Sequence, residues 1–188
     1  MNLLEPKNEL EQIIMKDVEW KKGVEWGMVR LGHPEGRVKN HIVDVLKNIE
    51  HLQGLSQDNY DRLRLIAIIH DTFKYKIDIT KPKIGRNNHA VIARIFAEKY
   101  IEDPDVLRII EQHDEAFNAW KSGKKSGDWE KAKKRLHELL NILGRVVDLY
   151  YIFYKCDNNV DGKDQECVKW FESFLNIYKM ENLPTPQP

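Results

Sequence analysis

Apolar residues recur every three or four positions along most of the chain, which is the spacing of one face of an α-helix. The strict alternation of apolar and polar residues that indicates a strand is nearly absent. The pattern therefore predicts an all-α fold, a single-domain helical bundle of about seven helices. The predicted helices cover residues 7–30, 37–52, 61–73, 89–100, 104–120, 129–157 and 163–179.

Glycine and proline separate these segments and suggest the boundaries of the domain. Residues 1–31 are predicted to form an N-terminal helix packed on the core, and residues 32–180 the domain itself. Residues 181–188 are predicted to be a disordered tail, because proline occupies three of the last six positions.

The third predicted helix differs from the others because it contains an unbroken apolar run, residues 65–69, that ends in His70-Asp71. A helix that is apolar on every side is predicted to be buried. A buried carboxylate beside a histidine must then be paired, hydrogen-bonded or bound to a metal ion, since an unpaired buried charge is too costly.

Helical periodicity places further polar residues on apolar faces. His41, His89 and His113 each share a face with aliphatic residues three or four positions away. In the sixth predicted helix, Asp157 continues the apolar row, whereas Asp148 projects from the opposite side. We therefore expect Asp157 to be buried and Asp148 to face solvent.

A single histidine on an apolar face is usually a core residue bonded to a backbone carbonyl. Four such histidines with two inward carboxylates favour a metal centre, because one shared cation satisfies them all. The predicted ligands are His41, His70, Asp71, His89, His113 and Asp157.

Composition narrows the function further. The chain has 188 residues with 30 basic and 30 acidic side chains, so no net field attracts nucleic acid or an anionic membrane. We therefore expect neither nucleic acid nor a membrane as a partner, and the chain could form an oligomer. Two cysteines without metal-type spacing fit a reducing compartment, and no apolar stretch approaches the roughly 18 residues of a membrane span. With a charged N-terminal segment, these features predict a cytoplasmic protein.

The order His41, His70-Asp71, Asp157 resembles the HD domain superfamily of all-helical, metal-dependent phosphohydrolases, in which each motif lies on a different helix. His89 and His113 match two further histidines of members that hold two metal ions. Residues 33–36, His-Pro-Glu-Gly, are similar to the HD domains of tRNA nucleotidyltransferases. The overall order of the histidines also looks like that of dinucleoside tetraphosphate hydrolases. Thr72-Phe73 departs from the small residues usual between the His-Asp pair and the lysine.

The resemblance implies a fold of the HD-domain type and an allocation of ligands. His41, His70, Asp71 and Asp157 would bind one divalent transition metal ion, and His89 and His113 a second, with Asp71 bridging. The ions implied are Fe, Mn, Co, Ni or Zn. The implied activity is cleavage of a phosphate ester or anhydride of a nucleotide-like small molecule by metal-activated hydroxide.

Catalytic roles are expected for His70, Asp71 and Lys74. Lys74 lies one helical turn beyond His70 and could reach a substrate phosphate, as could Arg37 and His33 near His41. Two other functions share these residues. One is a mixed-valent diiron oxygenase, and the other is a non-catalytic module that binds a nucleotide.

Overall fold

The computed structural model describes residues 3–29 and 34–181. In these ranges the chain forms ten α-helices and no β-strand, which confirms the all-α fold class. The helices are α1 (Glu9–Lys16), α2 (Val18–Val24), α3 (Val38–Glu50), α4 (Gln57–Ile69), α5 (His89–Ala97), α6 (Pro104–Gln112), α7 (Glu115–Ser126), α8 (Trp129–Leu143), α9 (Val147–Asn158) and α10 (Glu166–Glu181). Across the described residues, no helix combines the length and the apolarity that crossing a membrane requires.

Three of the predicted helices are each divided in two, so their prediction as continuous helices is wrong. The first is interrupted at Asp17, whose backbone is extended and whose carboxylate accepts hydrogen bonds from the first N–H groups of α2. The fifth is interrupted at His113 and Asp114, between α6 and α7. The sixth is interrupted at Gly144, whose φ of 54° is left-handed and ends α8.

Two of the predicted boundaries fall where the structure gives no description. The predicted break at residues 31–36 lies partly outside the described residues, and the predicted tail at 181–188 lies outside them except for Glu181, which ends α10. The described chain divides into two compact units. Among the described residues, the first, called the site unit, contains 3–29, 34–113 and 143–163, and the second unit contains 114–142 and 164–181. The predicted domain boundaries stay a prediction.

Helix α4 lies at the centre of the site unit and packs against α3, α6 and α9. Its apolar run is buried as predicted, and the most exposed of these five side chains is Leu65 at 8%. Because α4 is surrounded by other helices, the residues at its C-terminal end lie among the ends of those helices. The position of the His-Asp pair therefore follows from the burial of α4.

Helix α2 packs closely against the C-terminal end of α4. The indole Nε1 of Trp20 donates to the carbonyl oxygen of Ile68 over 2.7 Å. Gly23 approaches the next segment so closely that a Cβ there would lie 1.9 Å from the carbonyl oxygen of Thr72. Glycine is thus required at position 23 for α2 to lie beside the residues that follow His70 and Asp71.

Helix α1 is attached to α4 by a fully buried ion pair. The Arg64 guanidinium donates to both carboxylate oxygens of Glu11, at 2.8 and 2.9 Å, and neither side chain is exposed. Arg64 also lies 3.4 Å from a carboxylate oxygen of Glu50. This two-pronged geometry compensates for the cost of removing both charges from water.

The second unit contains α7, α10 and nearly all of α8. Gly123 of α7 lies against the ring of Trp129, and a Cβ at position 123 would come within 2.6 Å of that ring. The rings of Trp129 and Trp170 lie 5.6 Å apart. These rings lie at the edge of the unit, since Trp129 is 37% exposed, and its buried residues include Leu136, Leu140 and Phe171.

Candidate metal centre

The site unit brings all six predicted metal ligands together at the ends of five helices. His41 lies in the first turn of α3, His70 ends α4 and is followed by Asp71, and His89 begins α5. His113 ends α6, and Asp157 lies in the last turn of α9. Five of these residues are at most 5% exposed, and the His89 side chain is 13% exposed.

The first group of ligand atoms comes from α3, α4 and α9. The Nε2 atoms of His41 and His70 lie 3.3 Å apart. Oδ1 of Asp157 lies 2.8 Å from the His41 nitrogen and 3.5 Å from the His70 nitrogen. Oδ2 of Asp71 lies 3.5 and 3.6 Å from the same two nitrogens. The His41 and His70 nitrogens and Oδ2 of Asp71 therefore lie close enough to share one cation, and Asp157 contacts the same two imidazoles.

The second group comes from α5 and α6 and shares Asp71 with the first. The Nε2 atoms of His89 and His113 lie 3.2 Å apart. The other carboxylate oxygen of Asp71, Oδ1, lies 3.3 and 3.4 Å from these nitrogens. Asp71 thus directs one oxygen to each group, which is the arrangement of a bridging carboxylate.

The distances within each group agree with those around a bound transition metal ion. Ligands that each lie about 2.1 Å from one ion are about 3.0 to 3.4 Å from each other. The separations in the two groups span 2.8 to 3.6 Å and 3.2 to 3.4 Å. Among the described residues, Oδ1 of Asp71 is buried and lacks a hydrogen-bond partner, as expected of an atom that ligates a cation. The residues present fit a metal centre.

Backbone carbonyls fix the tautomer of two of the histidines. Nδ1 of His70 lies 2.9 Å from the carbonyl oxygen of Ala67, and Nδ1 of His113 lies 2.8 Å from that of Ile110. A carbonyl oxygen only accepts, so Nδ1 carries the proton and Nε2 of the neutral ring presents a lone pair. In both residues that lone pair faces the group of ligands described above.

The two aspartates are ionised in this surrounding. Burial acts to raise the pKa of Asp71, but the adjacent Lys74 ammonium is the main opposing influence, and that pKa lies well below its ordinary value. For Asp157, Lys163 and the hydrogen bond with His41 likewise overcome burial and hold the pKa well below its ordinary value. Burial lowers the pKa of His41, which favours the neutral, metal-binding ring.

The three predicted substrate-binding residues differ in position. Lys74 forms an ion pair with Asp71 and is 25% exposed, so it lies between the ligands and solvent. Arg37 is more than half exposed and pairs with Glu25 at 2.8 Å. His33 lies outside the described residues. Substrate binding by these three residues stays a prediction.

Two residues that sequence reasoning missed support Asp157. Lys163 lies 3.1 Å from Oδ2 of Asp157 and donates to the carbonyl oxygen of the same residue over 2.7 Å. Asn48 of α3 donates to the carbonyl oxygens of Cys156 and Asn159 and so holds the end of α9. Asn48 lies seven residues after His41 and three after Val45, on the same face of α3, so helical periodicity carried a signal for Asn48 that the sequence reasoning did not use. Lys163 follows a turn, so periodicity gave no signal for it.

The basic segment of the second unit, residues 121–135, has acidic partners. Lys124 lies 3.1 and 3.0 Å from carboxylate oxygens of Asp164 and Glu166. Arg135 pairs with Glu115 at 2.6 Å. These ion pairs account for part of the positive charge as ordinary surface structure.

Comparison with known protein families gives one match, to the model of the HD domain, over residues 38–149. The match spans more than half of the chain and includes five of the six predicted ligands, with Asp157 beyond its end. Neither the curated proteins nor the solved structures include a match to this chain.

Proposed function

The chain belongs to the HD domain family, and from that premise we propose that it is a metal-dependent phosphohydrolase with a binuclear centre. HD domains are usually metal-dependent hydrolases, and the two ligand groups suggest binding of divalent metal ions. We propose a small, nucleotide-like phosphate ester or anhydride as the substrate. The observation that carries the proposal is the division of the Asp71 carboxylate between two ligand groups.

In this proposal His41, His70, Asp71 and Asp157 hold one metal ion, and Asp71, His89 and His113 hold the other. Bound transition metal ions supply Lewis acidity, which makes water a better nucleophile near neutral pH and offsets charge on a phosphoryl group. Fe, Mn, Co, Ni or Zn suits this set of imidazole and carboxylate ligands.

The side chains around the ligands have separate tasks. The ion pair with Lys74 fixes the rotamer of Asp71, since the ammonium group and both ligand groups contact the same carboxylate. Because the Lys74 side chain is partly exposed, its ammonium can also bind a phosphate oxygen that enters from solvent. The backbone bonds of His70 and His113 keep both rings oriented while substrate exchanges.

Phosphate release tests this proposal directly. Purified protein, stripped of metal and reloaded with Mn²⁺ or Co²⁺, is assayed without oxygen against nucleoside mono- and triphosphates and dinucleoside polyphosphates. We expect phosphate or nucleotide release that depends on added metal and is abolished in Asp71→Ala. Product formation that requires dioxygen would instead identify the oxygenase. A nucleotide that raises the melting temperature without being cleaved would identify the binding module.

Lys74 separates the proposed catalysis from metal binding. We expect Lys74→Met to keep its bound metal while kcat/KM falls by about 10- to 1,000-fold, the range for loss of one charge-stabilising group. Lys39→Met is a matched control, because Lys39 pairs with Glu25 on the surface. An unchanged kcat/KM in Lys74→Met would remove Lys74 from the proposed site.

A further inference from the structure

We propose that Lys163 is a positioning residue that makes Asp157 a one-oxygen ligand of the first metal position. This inference rests on the metal centre of the proposed function. The two carboxylate oxygens of Asp157 face different partners. Oδ1 is directed to the His41 and His70 nitrogens, whereas Oδ2 lies 3.1 Å from the ammonium group of Lys163.

The position of Lys163 does not depend only on this ion pair. Its Nζ also donates to the carbonyl oxygen of Asp157 over 2.7 Å, so the ammonium is attached to the backbone that carries the ligand. The lysine follows a tight turn in which Gly162 has a φ of 80°. A Cβ at position 162 would lie 3.0 Å from the ring of Pro34, so the turn is closely packed on that side.

The other side of the turn is attached to α3, the helix that carries His41. Asn48 donates to the carbonyl oxygens of Cys156 and Asn159 at 2.8 and 2.7 Å, and Asn159 donates back to Asn48 over 3.1 Å. The backbone on both sides of Asp157 is therefore held by contacts between protein groups. Within this frame, the ammonium of Lys163 occupies Oδ2 and leaves Oδ1 for the metal ion.

One-oxygen binding has a consequence for metal preference. A carboxylate that binds through both oxygens adds a ligand atom, which favours larger ions with high coordination numbers. By holding Oδ2, Lys163 keeps the coordination number of the first position low. Without the ammonium group, Asp157 can turn and offer both oxygens, and the affinity for Mn²⁺ should then rise relative to that for Zn²⁺.

The test uses the full-length protein with Co²⁺, Mn²⁺ and Zn²⁺ and requires no turnover. We expect Lys163→Met to weaken the visible absorption of bound Co²⁺, because higher coordination reduces its intensity. We also expect the ratio of Mn²⁺ to Zn²⁺ affinity, measured by calorimetry, to rise several-fold. Lys163→Arg should retain the wild-type spectrum and ratio, since a guanidinium keeps a cation beside Oδ2.

Lys155→Met is the matched control. Lys155 lies on α9, the helix that also carries Asp157, but its side chain is exposed. It should resemble wild type in both measurements, and thermal melts establish that each variant is folded. A Lys163→Met variant with the wild-type Co²⁺ spectrum and metal ratio would overturn this inference while leaving the proposed function intact. A wild-type protein that binds none of the three ions would overturn both.

Discussion

At the scale of single residues, substitution of Asp71 should have the largest effect on metal binding, because its two carboxylate oxygens face different ligand groups. We expect Asp71→Ala to lose metal from both positions and all hydrolytic activity. Asp148→Ala is the control, since Asp148 is exposed, and its free energy of unfolding should change by no more than about 0.5 kcal/mol. Metal content by mass spectrometry and urea unfolding compare the two. Equal metal loss in both variants would contradict the assignment.

His89 belongs to the second ligand group alone, so its removal should have a narrower effect. We expect His89→Ala to bind one metal ion per chain where wild type binds two, since Oδ2 of Asp71 and the His41 and His70 nitrogens are unchanged. Metal content after gel filtration gives this number. His51→Ala is the control, because that ring is exposed and contacts the carbonyl of Lys47. Loss of both ions from His89→Ala would show that the positions are not separable.

Residue direction is the part of the site that the sequence predicts well. Asp157 is 5% exposed and Asp148 is exposed, as their places on the helical period indicate. The side of a helix from which a residue projects depends only on the turn of about 100° per residue, so the sequence of one helix is enough to predict it. Lys163 could not be found in this way, because a turn brings it back to Asp157 and turns have no periodic signal.

At the scale of secondary-structure elements, the close approach of α2 to residue 72 supports the site. In Gly23→Ala the new Cβ would overlap the carbonyl oxygen of Thr72, so the backbone next to Asp71 must shift. We expect this variant to unfold more easily and to bind metal more weakly. Gly123→Ala is a matched control, because its Cβ meets Trp129 in the second unit. Gly123→Ala should lower the free energy of unfolding without changing metal affinity, which calorimetry measures. An equal loss of metal affinity in both variants would show that the effect of Gly23→Ala does not arise from its contact with Thr72.

The attachment of α1 to α4 makes a second prediction at this scale. Glu11→Ala leaves the Arg64 guanidinium buried without its two-oxygen partner, which should cost about 3 to 5 kcal/mol of unfolding free energy. Glu9→Ala, an exposed position in the same helix, should have little effect. Urea denaturation measures both. A small loss in Glu11→Ala would mean that Glu50 and solvent suffice to stabilise Arg64.

Helix boundaries were predicted less well than helix content. The apolar period continues across Asp17, His113 and Gly144, so no change of pattern marks the three interruptions. The break at Asp17 is produced by a capping carboxylate and that at Gly144 by a left-handed backbone. At His113 and Asp114 both residues keep a right-handed backbone and no side chain caps the next helix. Whether a helix ends at such a residue depends on the tertiary packing around that residue, and the pattern of apolar residues along the sequence does not give that packing.

At the scale of the whole molecule, five helices meet at the proposed centre, so metal binding should stabilise the fold. An ion present at 100 times its dissociation constant adds about 2.7 kcal/mol, or roughly 5 to 11 °C in melting temperature for a protein of this size. We expect chelation to lower Tm by this amount and Mn²⁺ to restore it. The Asp71→Ala variant should show no such shift. A wild-type Tm that is insensitive to chelator would argue against the centre.

The ligand sets also differ in where they lie along the chain. The second position takes its histidines from two consecutive helices, α5 and α6, within residues 89–113, whereas the first draws on α3, α4 and α9. Under the proposed function, substitutions within residues 89–113 alone would remove the second metal ion and leave the ligands of the first unchanged. The number of ions in the proposed centre would then depend on one short segment, with Asp71 shared by both positions.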